Sequence, residues 1–486
     1  MSPLLILLII LLYFGLVMLV SWATGWRNAN NEAFFRANRN SVWWAVAIGM
    51  IGSSMSGVSF VSVPGMVRGL DFTYLQFVLG FFFGYLIVAH VLLPVFYNKN
   101  LTSIYTYLSG RFGKYAYRTG ALFFIIGKII ASAAKLYVVA LVLHNFVFSQ
   151  WGFAFPLTVC LTVFMIWLYT FRSGIKSIVW TDVLQTIIMI LTLIVIIFII
   201  LQKINLPFAE IFNKMKESEN TRIFVFDDWT SRQNFVKQFL SGIFIVVVMT
   251  GLDQDQMQKN LTCRNLPEAQ KNMIWYGAAF VPVNLLFLIL GFLLLIFAEK
   301  NGIALQNVIS DDILPLIVKS SLGNIALVMF VIGIFASALN SADSALTALT
   351  TSFSVDILNV AQKDKMRAEK IRYAAHIGFS IVLAAVVLIF RALNNKSVID
   401  ALYTIVSYTY GPLLGMYAFG FFTKLKTQDK AIPLIAIAAP VVCYFVNLLT
   451  VKLFNYTFGY EILLLNGALT FTAMWVAADK NHILRQ

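Results

Sequence analysis

The chain has 486 residues, of which 60% are hydrophobic and only 12% are charged. A soluble domain carries about 25% charged residues, so this composition excludes a water-soluble enzyme and predicts that lipid surrounds most of the molecule. The net charge of +14 does not indicate nucleic-acid binding, because Lys and Arg cluster between apolar runs, where the positive-inside rule places them.

A helix needs about 20 mostly apolar residues to cross a membrane, and thirteen segments of the chain fulfil this condition. They are 3–22, 41–67, 71–97, 117–147, 153–171, 176–203, 235–256, 271–298, 322–358, 370–393, 398–423, 431–452 and 457–479. The sequence therefore predicts an all-α polytopic membrane protein with about 13 transmembrane helices.

The first predicted helix is expected to remain in the mature protein. Its start, Met1-Ser2-Pro3, lacks the positive charges that precede a cleavable signal peptide. Arg27, Arg36 and Arg39 follow the helix, which favours an N-terminus outside the cytoplasm. The same rule places the C-terminus in the cytoplasm, and we expect a multi-pass protein of the cell inner membrane.

Two predicted helices contain residues that disfavour a continuous lipid-facing helix. Helix 41–67 has a Gly- and Ser-rich run from Gly49 to Gly65, and helix 235–256, five helices later, ends in the polar run Met249–Gln256. Matched interruptions are typical of transporters built from inverted repeats, in which the opened backbone faces a cavity. The predicted parts of a single membrane domain, 1–486, are an extra helix 3–22, a first repeat 41–203, an outer loop 204–234, an inverted second repeat 235–423 and two C-terminal helices within 431–479.

The predicted helix 322–358 carries a polar face. At about 100° per residue its polar side chains fall within roughly 160° of one side. They are Ser337, Asn340, Ser341, Asp343, Ser344, Thr347 and Thr351. Such oxygens suit a hard cation, whereas a Ser/Thr seam for helix packing is the alternative. Packing does not require the carboxylate of Asp343, so we favour an ion or proton site.

Other ionisable groups lie within predicted helices. Asp182 belongs to helix 176–203, and Lys128 and Lys135 lie two turns apart on helix 117–147. A buried lysine must be paired or deprotonated, so we expect Lys135 to pair with Asp182 or Asp343, or else to bind an anionic solute. Lys128 is a candidate for a structural ion pair.

Several polar residues are weaker candidates for contact with a solute. They are Ser56, Ser59, Gln76, Tyr137, Tyr403, Ser407 and Tyr408. The cysteines and histidines show no metal-ligand spacing, so no cofactor and no metal other than sodium is expected.

Four motifs together resemble the sodium/solute symporter family, which includes proline, iodide, sugar and sialic acid transporters. The resemblance covers essentially the whole chain. The motifs are Val179–Gln185, similar to W-T-D-x-x-Q, Asp253–Leu261, similar to D-Q-D-x-x-Q-[KR]-x-L, Ser352–Ile357, similar to the end of the ion-binding helix, and Gly411–Phe422, similar to G-P-x-x-G…G-x-F.

The resemblance implies a LeuT-like five-plus-five core and a sodium site between two of its helices. Carbonyl groups of Gly52 and Met55 would face the side chains of Ser337, Asn340 and Ser341. Family members commonly have Ala at the first of these three positions and Ser or Thr at the last two, so Asn340 departs from the pattern.

The resemblance also implies roles for three further polar residues. Asp182 matches an aspartate near the ion path, and Asp343 and Ser344 match hydroxyls of a second sodium site in some members. Known sugar carriers have a Lys where this chain reads Ala279–Pro282, which disfavours glucose or galactose.

The sequence thus predicts a sodium-coupled secondary active symporter that imports a small organic solute by alternating access. A proton-coupled symporter of the same fold is the alternative, and a membrane-embedded enzyme lacks the required cluster of His, Asp and Glu. The expected partners are the solute, sodium and the bilayer, with no nucleic acid and no obligatory protein. A sialic acid or other carboxylate, a sugar, a polyol and an amino acid all remain open as solutes, and Lys135 favours an anion.

Overall fold

The computed structural model describes residues 3–24, 31–393 and 398–483. The described chain is mostly helical, and its α-helices are α1 (Pro3–Thr24), α2 (Asn31–Arg36), α3 (Trp43–Ser54), α4 (Gly57–Leu70), α5 (Tyr74–Ile87), α6 (Leu93–Asn98), α7 (Thr106–Arg111), α8 (Lys114–Phe146), α9 (Phe155–Ile204), α10 (Phe208–Glu217), α11 (Phe235–Val246), α12 (Gln254–Asn260), α13 (Leu266–Lys300), α14 (Ile313–Ser320), α15 (Asn324–Ser352), α16 (Lys365–Leu393), α17 (Val398–Thr409), α18 (Gly411–Phe422), α19 (Ile432–Phe454) and α20 (Ile462–Val476). Short 3-10 helices are Ala37–Arg39, Phe148–Trp151, Glu219–Thr221, Ser310–Asp312, Val360–Gln362 and Asp429–Ala431, and π-helical turns are Val88–Leu92, Val247–Gly251 and Phe353–Ile357. Arg27, used above to orient the chain, lies outside the described residues.

The helices confirm a multi-pass membrane protein. Within the described ranges, 8 helices are long and apolar enough to cross a membrane, or up to 10 if each bent pair is one span. Shorter apolar helices are Phe155–Phe171, Val398–Thr409, Gly411–Phe422 and Ile462–Val476. The number of thirteen spans stays a prediction.

Both predicted helix interruptions are present. The axes of α3 and α4 differ by 58° across Met55 and Ser56, and the helix Phe235–Gly251 and α12 differ by 70° across Leu252 and Asp253. Ser56 is extended, with φ −80° and ψ 174°, so the backbone leaves helical geometry there. Each break releases carbonyl groups from helical hydrogen bonds.

Two predicted helix segments and the predicted all-α class need correction. The segment 398–423 is two helices, because Gly411 and Pro412 begin α18, and proline suits the first turn of a helix. The last helix starts at Ile462 rather than 457 and ends at Val476. An antiparallel pair of strands, β1 (Leu425–Thr427) and β2 (Ala478–Ile483), adds a small sheet to the predicted all-α fold.

The predicted separation of helices 153–171 and 176–203 corresponds to a sharp turn within α9. Gly174 has φ +56°, a conformation that L-residues other than glycine rarely adopt. The ring and backbone of Phe34 lie where a Cβ of residue 174 would project. Glycine is therefore required there for both conformation and space.

Helix α15 lies at the centre of the molecule. It packs against α9, α8, α3 and α12, and every residue from Gly333 to Ser352 is buried. Its polar face is consequently directed at other helices rather than at lipid. This placement brings the polar residues of α15 opposite the break between α3 and α4.

Candidate ion and solute sites

Two serine hydroxyls of α15 contact carbonyl groups at the first helix break. Ser337 Oγ donates to the Met55 carbonyl at 3.0 Å, and Ser341 Oγ donates to the Ser53 carbonyl at 3.2 Å. All these residues are buried. The opened backbone of α3 and the polar face of α15 therefore meet directly.

Asn340 lies between the same break and α9. Its amide nitrogen is 3.3 Å from the Asp182 carbonyl and 3.4 Å from Thr186 Oγ1, while its buried Oδ1 has no hydrogen-bond donor among the described residues. A Cβ at Gly52 would lie 2.6 Å from the Asn340 amide nitrogen. Gly52 thus allows α3 to approach α15 and α9 closely.

The carbonyl and hydroxyl oxygens at this break form a group suited to a small hard cation. Carbonyl oxygens at Ser53 and Met55, hydroxyls of Ser337 and Ser341, and Asn340 Oδ1 surround the break from both sides. Oxygen ligands of this kind replace the water around an ion in transporter sites. The family resemblance implies a carbonyl ligand at Gly52, whereas the structure brings the carbonyl of its neighbour Ser53 to Ser341.

Asp182 is neutralised by a lysine from the second broken helix. Lys259 Nζ of α12 lies 2.6 Å from Asp182 Oδ2, and the two side chains are 2% and 0% exposed. The predicted pairing of Lys135 with Asp182 or Asp343 is wrong, because no carboxylate of the described residues lies within ion-pair distance of Lys135. The predicted structural ion pair of Lys128 is confirmed.

Asp343 is buried on the same face of α15. Tyr169 donates its hydroxyl to Asp343 Oδ2 at 2.8 Å, and the backbone N–H of Ser344 points at Oδ1. The Ser344 hydroxyl donates to the Asn340 carbonyl at 2.6 Å. Among the described residues Asp343 has no lysine or arginine within ion-pair distance.

A small central cavity of about 60 Å³ lies between the two helix breaks. Its lining combines residues of both broken helices with aromatic side chains and two lysines. The lining residues are Ser53, Ser54, Phe81, Tyr85, Lys128, Lys135, Ile245, Val246, Met249, Thr250, Asp253, Gln256, Tyr276, Phe280 and Tyr403. We call this space the central cavity.

Lys128 is fixed on one wall of the central cavity. Its Nζ is 3.1 Å from Asp253 Oδ2 and 2.7 Å from Asp255 Oδ2. Tyr410 also donates to Asp253, at 2.8 Å. Lys135 lines the same cavity, and no carboxylate in the described part of the chain lies within ion-pair distance of it, so its ammonium group is available for an anion.

The structure separates the predicted solute residues into two groups. Tyr403 lines the central cavity, and Ser407 lies one turn away with its hydroxyl on the Tyr403 carbonyl at 2.8 Å. Ser56 immediately precedes α4 and Ser59 lies in its first turn, but neither is among the lining residues. They therefore lie beside the break rather than in the central cavity.

Gln76 does not belong to the cavity. Its side chain donates to the Gln233 carbonyl at 2.9 Å and accepts from the Val225 N–H at 3.1 Å. Gln76 therefore attaches the 204–234 loop to the start of α5. The polar character of Gln76 reflects this structural role, and the geometry provides no support for solute contact.

The comparison with known proteins agrees with this arrangement. The family model described as "Sodium:solute symporter family" matches residues 34–433. The chain belongs to this family. As a family member it is a sodium-coupled symporter, which confirms the predicted function class and sodium as the coupling ion.

Two bacterial relatives have similar lengths to this symporter. It is 24% identical over 430 residues to the sodium/sialic acid symporter NanT of Aliivibrio fischeri (strain ATCC 700601 / ES114), covering 86% of this chain and 83% of the relative. It is 22% identical over 428 residues to the sodium/sialic acid symporter SiaT of Proteus mirabilis (strain HI4320), covering 86% and 85%.

A solved structure has the same fold. It is described as the substrate-bound outward-open state of a Na+-coupled sialic acid symporter, and it superposes with a TM-score of 0.83 at 19% identity. The match covers 98% of this chain and 99% of the other. The similarity shows that the symporter shares the fold of that protein.

Sequence reasoning missed the charged residues of the second broken helix. Asp253, Asp255 and Lys259 were read as parts of a motif and given no physical role. All three are buried. The rule applied to Asp343, that a charge at membrane depth has a partner or a function, would have singled them out.

Proposed function

We propose that this symporter binds one Na+ between the α3–α4 break and α15. The proposed ligands are carbonyl groups of Gly52, Ser53 or Met55 and the side chains of Ser337, Asn340 and Ser341. The observation that carries the proposal is the direct contact of Ser337 and Ser341 with carbonyl groups of the break. Such neutral oxygens bind a small cation without requiring a change of protonation.

We further propose a small organic anion as the solute. Lys135 provides a half-buried cation in the central cavity that no described carboxylate neutralises, so an anion that enters the cavity would meet an uncompensated positive charge. Ser54, Gln256 and Tyr403 line the cavity with it. Similarity to sialic acid symporters supports a carboxylate as the recognised group.

The size of the central cavity supports alternating access. Its volume of about 60 Å³ is well below the roughly 300 Å³ at which ligand pockets begin. The surrounding helices must therefore move apart before an organic solute enters. Sodium bound at the α3–α4 break would stabilise one arrangement of that break and thereby favour solute binding.

The proposed architecture is a LeuT-like core within one membrane domain. Repeats 41–203 and 235–423 each contain one broken span at the corresponding position, with α1 before them and α19 and α20 after them. We place the N-terminus outside, the C-terminus in the cytoplasm and the chain in the cell inner membrane. The distribution of Lys and Arg between helices supports this orientation.

Asp343 provides a specific reason to keep proton coupling as a second candidate. Its carboxylate is buried, accepts the Tyr169 hydroxyl and lacks a cationic partner among the described residues. An ionisable group at this depth without a cationic neighbour is a candidate to bind a proton or a second cation. Protons would then replace sodium at a second ion site formed with Ser344.

The solute proposal is tested by substituting Lys135. Purified Lys135→Gln and Lys135→Arg variants are screened for thermal stabilisation by carboxylic acids, including a sialic acid, and by their neutral amides, with sodium or choline chloride. We expect an acid to stabilise the parent and the Arg variant in sodium but not the Gln variant. Equal stabilisation of the parent and Lys135→Gln by an acid would contradict an anion site at Lys135.

A further inference from the structure

The connection between α19 and α20 contacts the helix that contributes Tyr403 to the central cavity. Tyr460, two residues before α20, donates its hydroxyl to Asp400 Oδ1 of α17 at 3.0 Å. Its ring packs at 5.2 Å, centroid to centroid, on Tyr403 and at 5.2 Å on Phe77 of α5. Phe77 and Tyr403 are themselves 5.1 Å apart, so the three rings form a closed cluster.

The ring cluster restricts movement of Tyr403. The Tyr403 hydroxyl lies 3.2 Å from that of Tyr74, and Tyr403 is only 9% exposed. Tyr403 belongs to α17 and lines the central cavity. If the Val398 end of α17 moves away from the cavity, the ring of Tyr403 must separate from the ring of Tyr460. Aromatic contacts of this kind stabilise the closed arrangement beyond their burial.

The other end of α17 contacts α20, which together with α19 and their connection we call the α19–α20 hairpin. Asn466 of α20 donates from its amide nitrogen to the Ser407 carbonyl at 3.2 Å and to the Tyr408 carbonyl at 2.9 Å. Asn466 also lies so close to Gly411 that a side chain there would collide with it. The junction of α17 and α18 is therefore fixed against α20.

These contacts define a fixed junction between α17 and α18 at Asn466, which we call the pivot, and a contact of Tyr460 with Asp400, which we call the latch. Asp400 lies ten residues from Tyr410, or about 15 Å along a helix, so a small rotation at the fixed junction produces a large movement at the Val398 end. One further contact, from the Val398 N–H to Asp311 Oδ2 at 3.0 Å, ties this end to the Ser310–Asp312 turn. Loss of the Tyr460 contact would accordingly loosen the end rather than release it.

We propose that Tyr460 holds α17 over the central cavity through Asp400 and the ring cluster, while Asn466 fixes the pivot. The α19–α20 hairpin thus controls solute access although it lies outside the two proposed repeats. Tyr460 acts as a positioning residue, since it reaches the solute only through Tyr403. The inference rests on the proposed function, because it assumes that the central cavity receives the solute.

The latch is tested by thiol labelling of the cavity. Met249, a lining residue, is replaced by Cys in a protein whose three natural cysteines are Ala, and labelling by a membrane-impermeant methanethiosulfonate is timed. Tyr460→Phe keeps the ring and removes the bond to Asp400, which is partly exposed, so we expect labelling about three- to fivefold faster. Asp400→Asn should accelerate labelling similarly, and the double variant should add little to either change.

Tyr456→Phe is the matched control. Tyr456 belongs to the same connection and donates to a carboxylate, Glu461 Oε1, at 2.6 Å, but this bond does not involve α17. Its labelling rate should equal that of the parent, and both Phe variants should melt at similar temperatures. Equal labelling rates for Tyr460→Phe and Tyr456→Phe would overturn the latch. An absent effect of sodium on labelling in all variants would instead count against the proposed function.

Discussion

Substitution of Lys259 tests the electrostatic organisation of the ion site. At 2.6 Å from Asp182, its attraction is roughly 6 kcal/mol in a medium of effective dielectric constant about 20. Desolvation of both groups offsets much of this attraction, but removing one partner leaves a buried charge and costs about 3–5 kcal/mol. We therefore expect Lys259→Gln to destabilise the folded symporter strongly.

The expected loss corresponds to a fall of about 3–5 °C in melting temperature for a chain of this length, measured in detergent by intrinsic fluorescence. Because sodium can approach the unpaired Asp182 carboxylate, NaCl should restore more stability to Lys259→Gln than to the parent, relative to choline chloride. The Asp182→Asn/Lys259→Gln double variant removes both charges. It should be more stable than Lys259→Gln and should lose the additional response to sodium.

Two results would refute this reasoning. One is a Lys259→Gln variant that melts within about 1 °C of the parent, because loss of one partner of a buried ion pair should cost about 3–5 kcal/mol. The other is a double variant whose destabilisation equals the sum of the two single losses, which would show that the charges do not interact.

Three further predictions concern single residues. Ser341→Ala should raise the sodium concentration for half-maximal uptake about tenfold, since one oxygen ligand is lost, whereas an unchanged sodium requirement would exclude Ser341 from the site. Asp343→Asn should alter the sodium affinity, the ion stoichiometry or the pH dependence of uptake in proteoliposomes, and no change in any of them would remove Asp343 from the coupling machinery. Burial raises the pKa of the Cys263 thiol to about 12, so N-ethylmaleimide at pH 8 should modify Cys263 only after SDS denaturation, as judged by mass spectrometry. Rapid modification of Cys263 in the native protein would show that the connection between α12 and α13 opens.

The features predicted best from the sequence are those that follow directly from the exclusion of polar groups from lipid. A polar helix face at membrane depth must be directed at protein, so the burial of Ser337, Asn340 and Ser341 followed from their spacing on α15. The same argument located the α3–α4 break from its Gly and Ser residues. Both predictions depended on local sequence alone.

Pairings between distant residues were not accessible in this way. Asp182 and Lys259 are 77 residues apart, and nothing in their local periodicity favours this partner over Lys135. Gln76 is predicted to contact the solute, whereas its side chain holds the 204–234 loop. In the sequence, a polar residue near the start of a helix looks the same whether it binds a solute or a loop. The role of Tyr460 depends on packing between α17 and a connection outside both proposed repeats.

The hydrogen bonds of Ser337 and Ser341 have a consequence for release of an ion from the proposed site. A cation bound between Ser337 Oγ and the Met55 carbonyl takes lone pairs from both oxygens, so the hydroxyl proton that now joins them must rotate away. The same exchange would occur between Ser341 Oγ and the Ser53 carbonyl. Each of these two contacts would therefore replace a hydrogen bond that already exists, which lowers the net gain from binding a cation at the proposed site. A carrier that discharges its cargo into a compartment poor in sodium needs such weak retention, and returning hydroxyl bonds help to close the emptied site.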